Sequence, residues 1–87
     1  MSYEVVYSRQ ARKDAKKLNK SGLKEQTVAL IEIVKKDPFA DPPRFEALRG
    51  VLKGCYSRRI NIQHRLVYEV FEERRIVHIL RMKLSGI

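Results

Sequence analysis

Between residues 56 and 71 the chain alternates two kinds of side chain with a period of two. Even positions hold Tyr56, Arg58, Ile60, Leu66, Tyr68 and Val70; odd positions hold Ser57, Arg59, Asn61, Arg65, Val67 and Glu69. Successive side chains of a strand point to opposite faces, so the pattern specifies a β-hairpin with one face to bury and a polar, basic face to leave open. A one-residue slip would bury the arginines and expose Leu66 and Tyr68, so the sequence resists the alternative register. With Ile62-Gln63-His64 as the loop, Asn61 lies opposite Arg65 and residues of equal parity share a face. Carried to the last strand, the same parity adds Ile76, His78, Leu80 and Met82 to the core face. It adds Arg81 and Lys83 to the basic one. His78 then reads as a core histidine, and His64 as a turn residue.

The other elements follow from local signals. Residues 3–7 (Tyr-Glu-Val-Val-Tyr) form a β-rich run, and Ser8 offers an N-cap for a helix whose inner stripe is Ala11, Ala15 and Leu18. Arg9, Arg12, Lys13, Lys16 and Lys17 occupy its other side and read as a solvated face. After a break at residues 19–22, a second helix is predicted over 23–36. Leu23, Thr27, Leu30, Ile31 and Val34 line it, Val28 and Ile33 widen the stripe, and Asp37-Pro38 stops it. An ordered connector rich in Pro38, Pro42 and Pro43 leads to strands at 45–49, 56–61, 65–71 and 75–83. The order β-α-α-β-β-β-β predicts an α+β fold, an antiparallel sheet with two N-terminal helices packed on one face. At 87 residues the expectation is one domain, 1–87.

Charge narrows the partners. Nineteen Lys+Arg against ten Asp+Glu give a formal net charge of +9, which favours encounter with polyanions: nucleic acid first, an acidic protein second. Cys55 is the one cysteine. It excludes a disulfide framework, suits a reducing cytoplasm, and has no Cys or His at ligand spacing to make a metal site. The apolar run 28–34 is interrupted by Glu32 and too short to span a bilayer, and the N-terminus lacks the apolar core of a leader peptide. A cytoplasmic protein without a membrane partner is expected.

Arg59, Arg65, Arg81 and Lys83 make the open face a convergent cationic surface, and Glu46 lies a short step before it. The facing of Glu46 stays open, because Arg44-Phe45-Glu46-Ala47-Leu48-Arg49 does not alternate. A carboxylate beside fixed guanidiniums suits RNA cleavage by the substrate's own 2′-OH. The carboxylate takes the hydroxyl proton, and arginine forks stabilise the charge growing on the phosphate without a metal. The acid for the 5′-oxygen leaving group is not evident.

Pro38-Phe39, Phe45-Glu46-Ala47-Leu48-Arg49, Gly54, Tyr56-Ser57-Arg58-Arg59-Ile60 and His64-Arg65-Leu66-Val67-Tyr68 together resemble the Txe/YoeB branch of the RelE toxin superfamily, over nearly the whole chain. The resemblance implies a bacterial toxin of a type II toxin–antitoxin module. Such toxins are metal-independent, ribosome-dependent mRNA endonucleases (mRNA interferases) held inactive by an antitoxin protein, here expected to be acidic. It implies Glu46 as general base, Arg65 as the principal phosphate-stabilising arginine, Arg59 as a second catalytic arginine and Arg49 as an RNA contact. Arg81 and Lys83 are expected to bind RNA from the same face. The chain departs from the family at its end. Members carry a His-Tyr pair two or four residues after the arginine equivalent to Arg81, the histidine as general acid. Here those places hold Lys83-Leu84 or Ser85-Gly86. The alternative expectation is therefore a weakened or inactive relative that only binds ribosome, RNA or antitoxin. A gyrase-inhibiting relative of the same fold would have no use for a Glu46–Arg65 pair.

Overall fold

The computed structural model describes residues 2–42 and 44–82. Chain order is β1 (Glu4–Tyr7), α1 (Arg9–Lys20), α2 (Lys24–Lys36), β2 (Phe45–Ala47), a 3-10 turn at Gly50–Leu52, β3 (Cys55–Arg59), β4 (Arg65–Phe71) and β5 (Ile76–Arg81). The fold is α+β, with one five-stranded sheet in the order β1-β5-β4-β3-β2. Three of its pairings are antiparallel. The departure from expectation is β1, which joins β5 in parallel with Val5 beside Val77 and Tyr7 beside Ile79. The two helices between β1 and the rest of the sheet supply the crossover that a parallel pairing demands. Lys83, assigned from sequence to the last strand, lies outside the described residues, as do Leu84, Ser85 and Gly86.

Ser8 caps α1 as its sequence requires: Oγ accepts from the Ala11 N–H at 2.9 Å and donates to the Leu80 carbonyl at 2.8 Å. The cap therefore fixes the helix start and ties it to β5. Both helices lie against the even face of β4. Ala11 and Leu18 of α1, with Leu30 and Val34 of α2, bury together with Leu66, Tyr68, Val77, Ile79 and Met82.

The core face of β5 is the opposite of the one predicted. Val77 and Ile79 are fully buried, whereas Ile76 and His78 line a shallow depression on the other side with Val6 and Phe71. The cause is the turn. Four residues, 72–75, join β4 to β5, so Phe71 pairs with Ile76 and Val70 with Val77, and an even position faces with an odd one. Arg75, at φ 56°, closes that turn with its N–H on the Glu72 carbonyl. Parity then flips back, because Tyr68 pairs with Ile79 but Val67 with Arg81, leaving Leu80 as a bulge. Met82 reaches the core by that extra residue.

The β3–β4 hairpin is longer in its loop than predicted. Arg59, not Asn61, lies opposite Arg65, and the five-residue loop 60–64 shifts the register by two, which leaves the facing intact. Asn61 organises the loop, its Oδ1 accepting from the Gln63 and His64 N–H groups at 2.9 and 2.7 Å. Arg58, the one charge on the even face of the hairpin, is 1% exposed. Its Nε donates to the Tyr68 hydroxyl at 3.0 Å and its Nη2 to the Pro38 carbonyl at 3.0 Å, with the guanidinium 4.9 Å from the Phe45 ring centre.

Candidate functional site

Pairing of β2 with β3 settles the facing of Glu46. It stands opposite Ser57, and Ser57 stands opposite Val67 on β4, so all three point to the face away from the helices. One row along, Arg59 and Arg65 face each other on the same side. Arg44, Glu46, Ser57, Arg59 and Arg65 line a cleft of about 260 Å³ there. Within it Arg65 Nη1 lies 3.9 Å from Glu46 Oε2 and donates to Ser57 Oγ at 3.2 Å.

Two guanidiniums directly across an antiparallel pair repel each other and weaken the sheet. Glu46 offsets one of them in part, yet with Arg44 the cleft holds three arginines to one carboxylate. Such an excess of fixed, forked donors is suited to an anion with several oxygens, as a phosphodiester has. Glu46 is half-exposed and acceptor-only, and so can take a proton from a hydroxyl brought beside it. Among the described residues no three His, Cys, Asp or Glu side chains come together as ion ligands.

Of the residues singled out in the sequence, the structure brings together Glu46, Arg59 and Arg65. Arg49 is exposed beyond the end of β2, just before the 3-10 turn, and does not line the cleft. Arg81 is drawn away from it. Its Nε donates to Asp14 Oδ2 at 3.1 Å, on a carboxylate only 1% exposed that also accepts from the Met82 N–H and the Gln10 amide. Burial raises the pKa of Asp14, but the Met82 N–H, the Gln10 amide and the Arg81 guanidinium outweigh it and hold the carboxyl below its ordinary range. The odd face is also less open than its composition implies, since Ser57 and Val67 are buried.

Two cleft residues were missed from sequence. Arg44 ends the proline-rich connector, where no periodicity assigns a direction. The place of Ser57 follows from its pairing with Glu46, which the irregular pattern at 44–49 could not supply. The available signal was Ser57's odd parity, shared with Arg59 and Arg65.

Known proteins place the chain. A family model described as "YoeB-like toxin of bacterial type II toxin-antitoxin system" matches residues 5–84. Toxin YoeB of Streptomyces coelicolor is 33% identical over 73 residues, 84% of this chain and 76% of that protein. Toxin YoeB of Synechocystis sp. is 46% identical over 41 residues, which is 47% of this chain but only 48% of the relative. Among solved structures, a YoeB/ParE toxin from Agrobacterium tumefaciens superposes with a TM-score of 0.85 at 26% identity, covering 94% of this chain and 98% of that one. The toxin in the YoeB-YefM complex from Staphylococcus aureus superposes at 0.80 and 27% identity, covering 98% and 99%.

Proposed function

Because the chain belongs to the YoeB-like toxin family of bacterial type II toxin–antitoxin systems, we propose that its cleft cuts mRNA on translating ribosomes in the cytoplasm. In this reading Glu46 removes the proton from a 2′-OH. Arg65 and Arg59 bind the scissile phosphate and stabilise the charge that builds as the 2′-oxygen attacks phosphorus and the P–O5′ bond breaks. The 5′-oxygen takes its proton from water where no side chain supplies one. Arg44 adds a third cation at the cleft wall, Arg49 and Arg81 hold RNA outside it, and Lys83 is a further RNA contact. No metal takes part, since the guanidiniums supply the positive charge. The observation that carries the reading is the 3.9 Å approach of Arg65 to Glu46 beside a directly opposed Arg59. That arrangement is costly to the sheet and repaid when an anion enters.

An acidic antitoxin segment is the matching protein partner, complementary to the +9 chain. The YoeB-YefM complex of the staphylococcal relative supports that class of partner.

A second reading keeps the binding and discards the chemistry. Lys83-Leu84 and Ser85-Gly86 offer neither an imidazole nor a phenol, and losing a general acid costs about 10²–10⁴-fold in rate. Toeprinting on programmed ribosomes separates the two readings. Cuts at codon boundaries that vanish in Glu46→Ala and Arg65→Ala establish the enzyme; salt-sensitive ribosome binding with intact mRNA establishes the binder. Placing a His-Tyr pair at 83–84, and separately at 85–86, should raise cleavage in one of the two. No gain from either rules out a missing acid as the cause.

A further inference from the structure

Arg65 Nη1 has two oxygens within reach and sits nearer the uncharged one. Ser57 Oγ accepts from it at 3.2 Å while Glu46 Oε2 stands off at 3.9 Å. A guanidinium free to choose closes on the carboxylate, where charge-assisted bonds run about 2.7–2.9 Å and are roughly twice as strong as neutral ones. Ser57 is in a position to prevent this. Its backbone is locked between Glu46 on β2 and Val67 on β4, and its side chain is buried at the cleft floor, so its hydroxyl is a fixed point.

We propose that Ser57 is a positioning residue that holds the Arg65 guanidinium off Glu46, keeping the carboxylate open to a hydroxyl proton and the guanidinium open to a phosphate oxygen. The proposal deepens the ribonuclease reading and rests on it for its purpose, though not for its geometry. Without the hydroxyl, the loose 3.9 Å pair of Glu46 and Arg65 closes into a direct charge-assisted hydrogen bond that an incoming phosphodiester must first break.

The test is the variant Ser57→Ala. Its crystal structure is expected to bring Arg65 Nη1 to about 2.8 Å from Glu46; a separation unchanged from the parent overturns the proposal. Affinity for a short RNA lacking the scissile 2′-OH should fall about fivefold, the size expected from an ion pair at a half-exposed site. In a Glu46→Gln background the same Ser57→Ala change should cost nothing, because no charged partner remains to capture Arg65. Equal losses in both backgrounds would mean that Ser57 acts only as structure. Ser57→Thr, which keeps the hydroxyl, should recover most of the loss. A parent protein that binds the RNA but cuts none on ribosomes removes the nuclease reading while leaving the positioning role standing.

Discussion

Arg58 spends its guanidinium on the Tyr68 hydroxyl, the Pro38 carbonyl and the ring of Phe45, all beneath the sheet, whereas Arg59 stands exposed at the cleft across from Arg65. The two are neighbours in sequence and serve different ends. Arg58→Ala is expected to cost on the order of 3 kcal/mol, because it empties a buried site and leaves polar partners unpaired. Arg59→Ala should change stability by less than about 0.5 kcal/mol, since the site is exposed and the lost neighbour is a like charge. It should cut ribosome-dependent cleavage by about 10²-fold if it stabilises the transition state. Urea melts and single-turnover cleavage on the same two proteins check both halves of the contrast.

At the scale of elements, the C-terminal end of β5 is held by Asp14. The carboxyl titrates below its ordinary 3.8 in the folded chain. Its contribution to stability is thus complete above that value and is lost as pH falls through the lower, folded one. Urea unfolding across the acid range should show this loss in the parent and a flatter limb in Asp14→Asn. At neutral pH the substitution should cost about 1–3 kcal/mol, since the Arg81 and Met82 donors lose a charged acceptor. Neither the buried Asp14 nor its clamp was legible in the sequence, where the inner stripe of α1 was drawn from Ala11, Ala15 and Leu18 alone. What could be read was local. Alternation gave the faces of β3 and β4, and Ser8 and Asp37-Pro38 gave the bounds of the helices. The facing of β5 was misread because parity across a turn depends on whether its loop is odd or even, and Glu72-Glu73-Arg74-Arg75 carries no pattern that tells four residues from three. The bulge at Leu80 then reversed the parity a second time. The site was legible where it lay on alternating strands, as with Arg59 and Arg65, and illegible at Arg44, whose direction comes from the connector's path.

For the molecule as a whole, nineteen cationic side chains against ten acidic ones should make the proposed RNA binding a function of ionic strength. If Arg44, Arg59 and Arg65 each meet a phosphate, log affinity for single-stranded RNA should fall with log salt at a slope of about −2 from the cleft alone, near −0.7 per contact. Arg59→Ala should flatten the total slope by about 0.7, measured by anisotropy titration at several salt concentrations. A slope that ignores the substitution would place the bound phosphates elsewhere.

The parallel seam between β1 and β5 has a consequence during synthesis. Glu4–Tyr7 leaves the exit tunnel long before its partner, Ile76–Arg81, is translated. Neither helix can seat on Val77 and Ile79 before then. A nascent chain paused between β4 and β5 lacks the strand on which α1 and β1 pack, so the sheet closes only after β5 has been read.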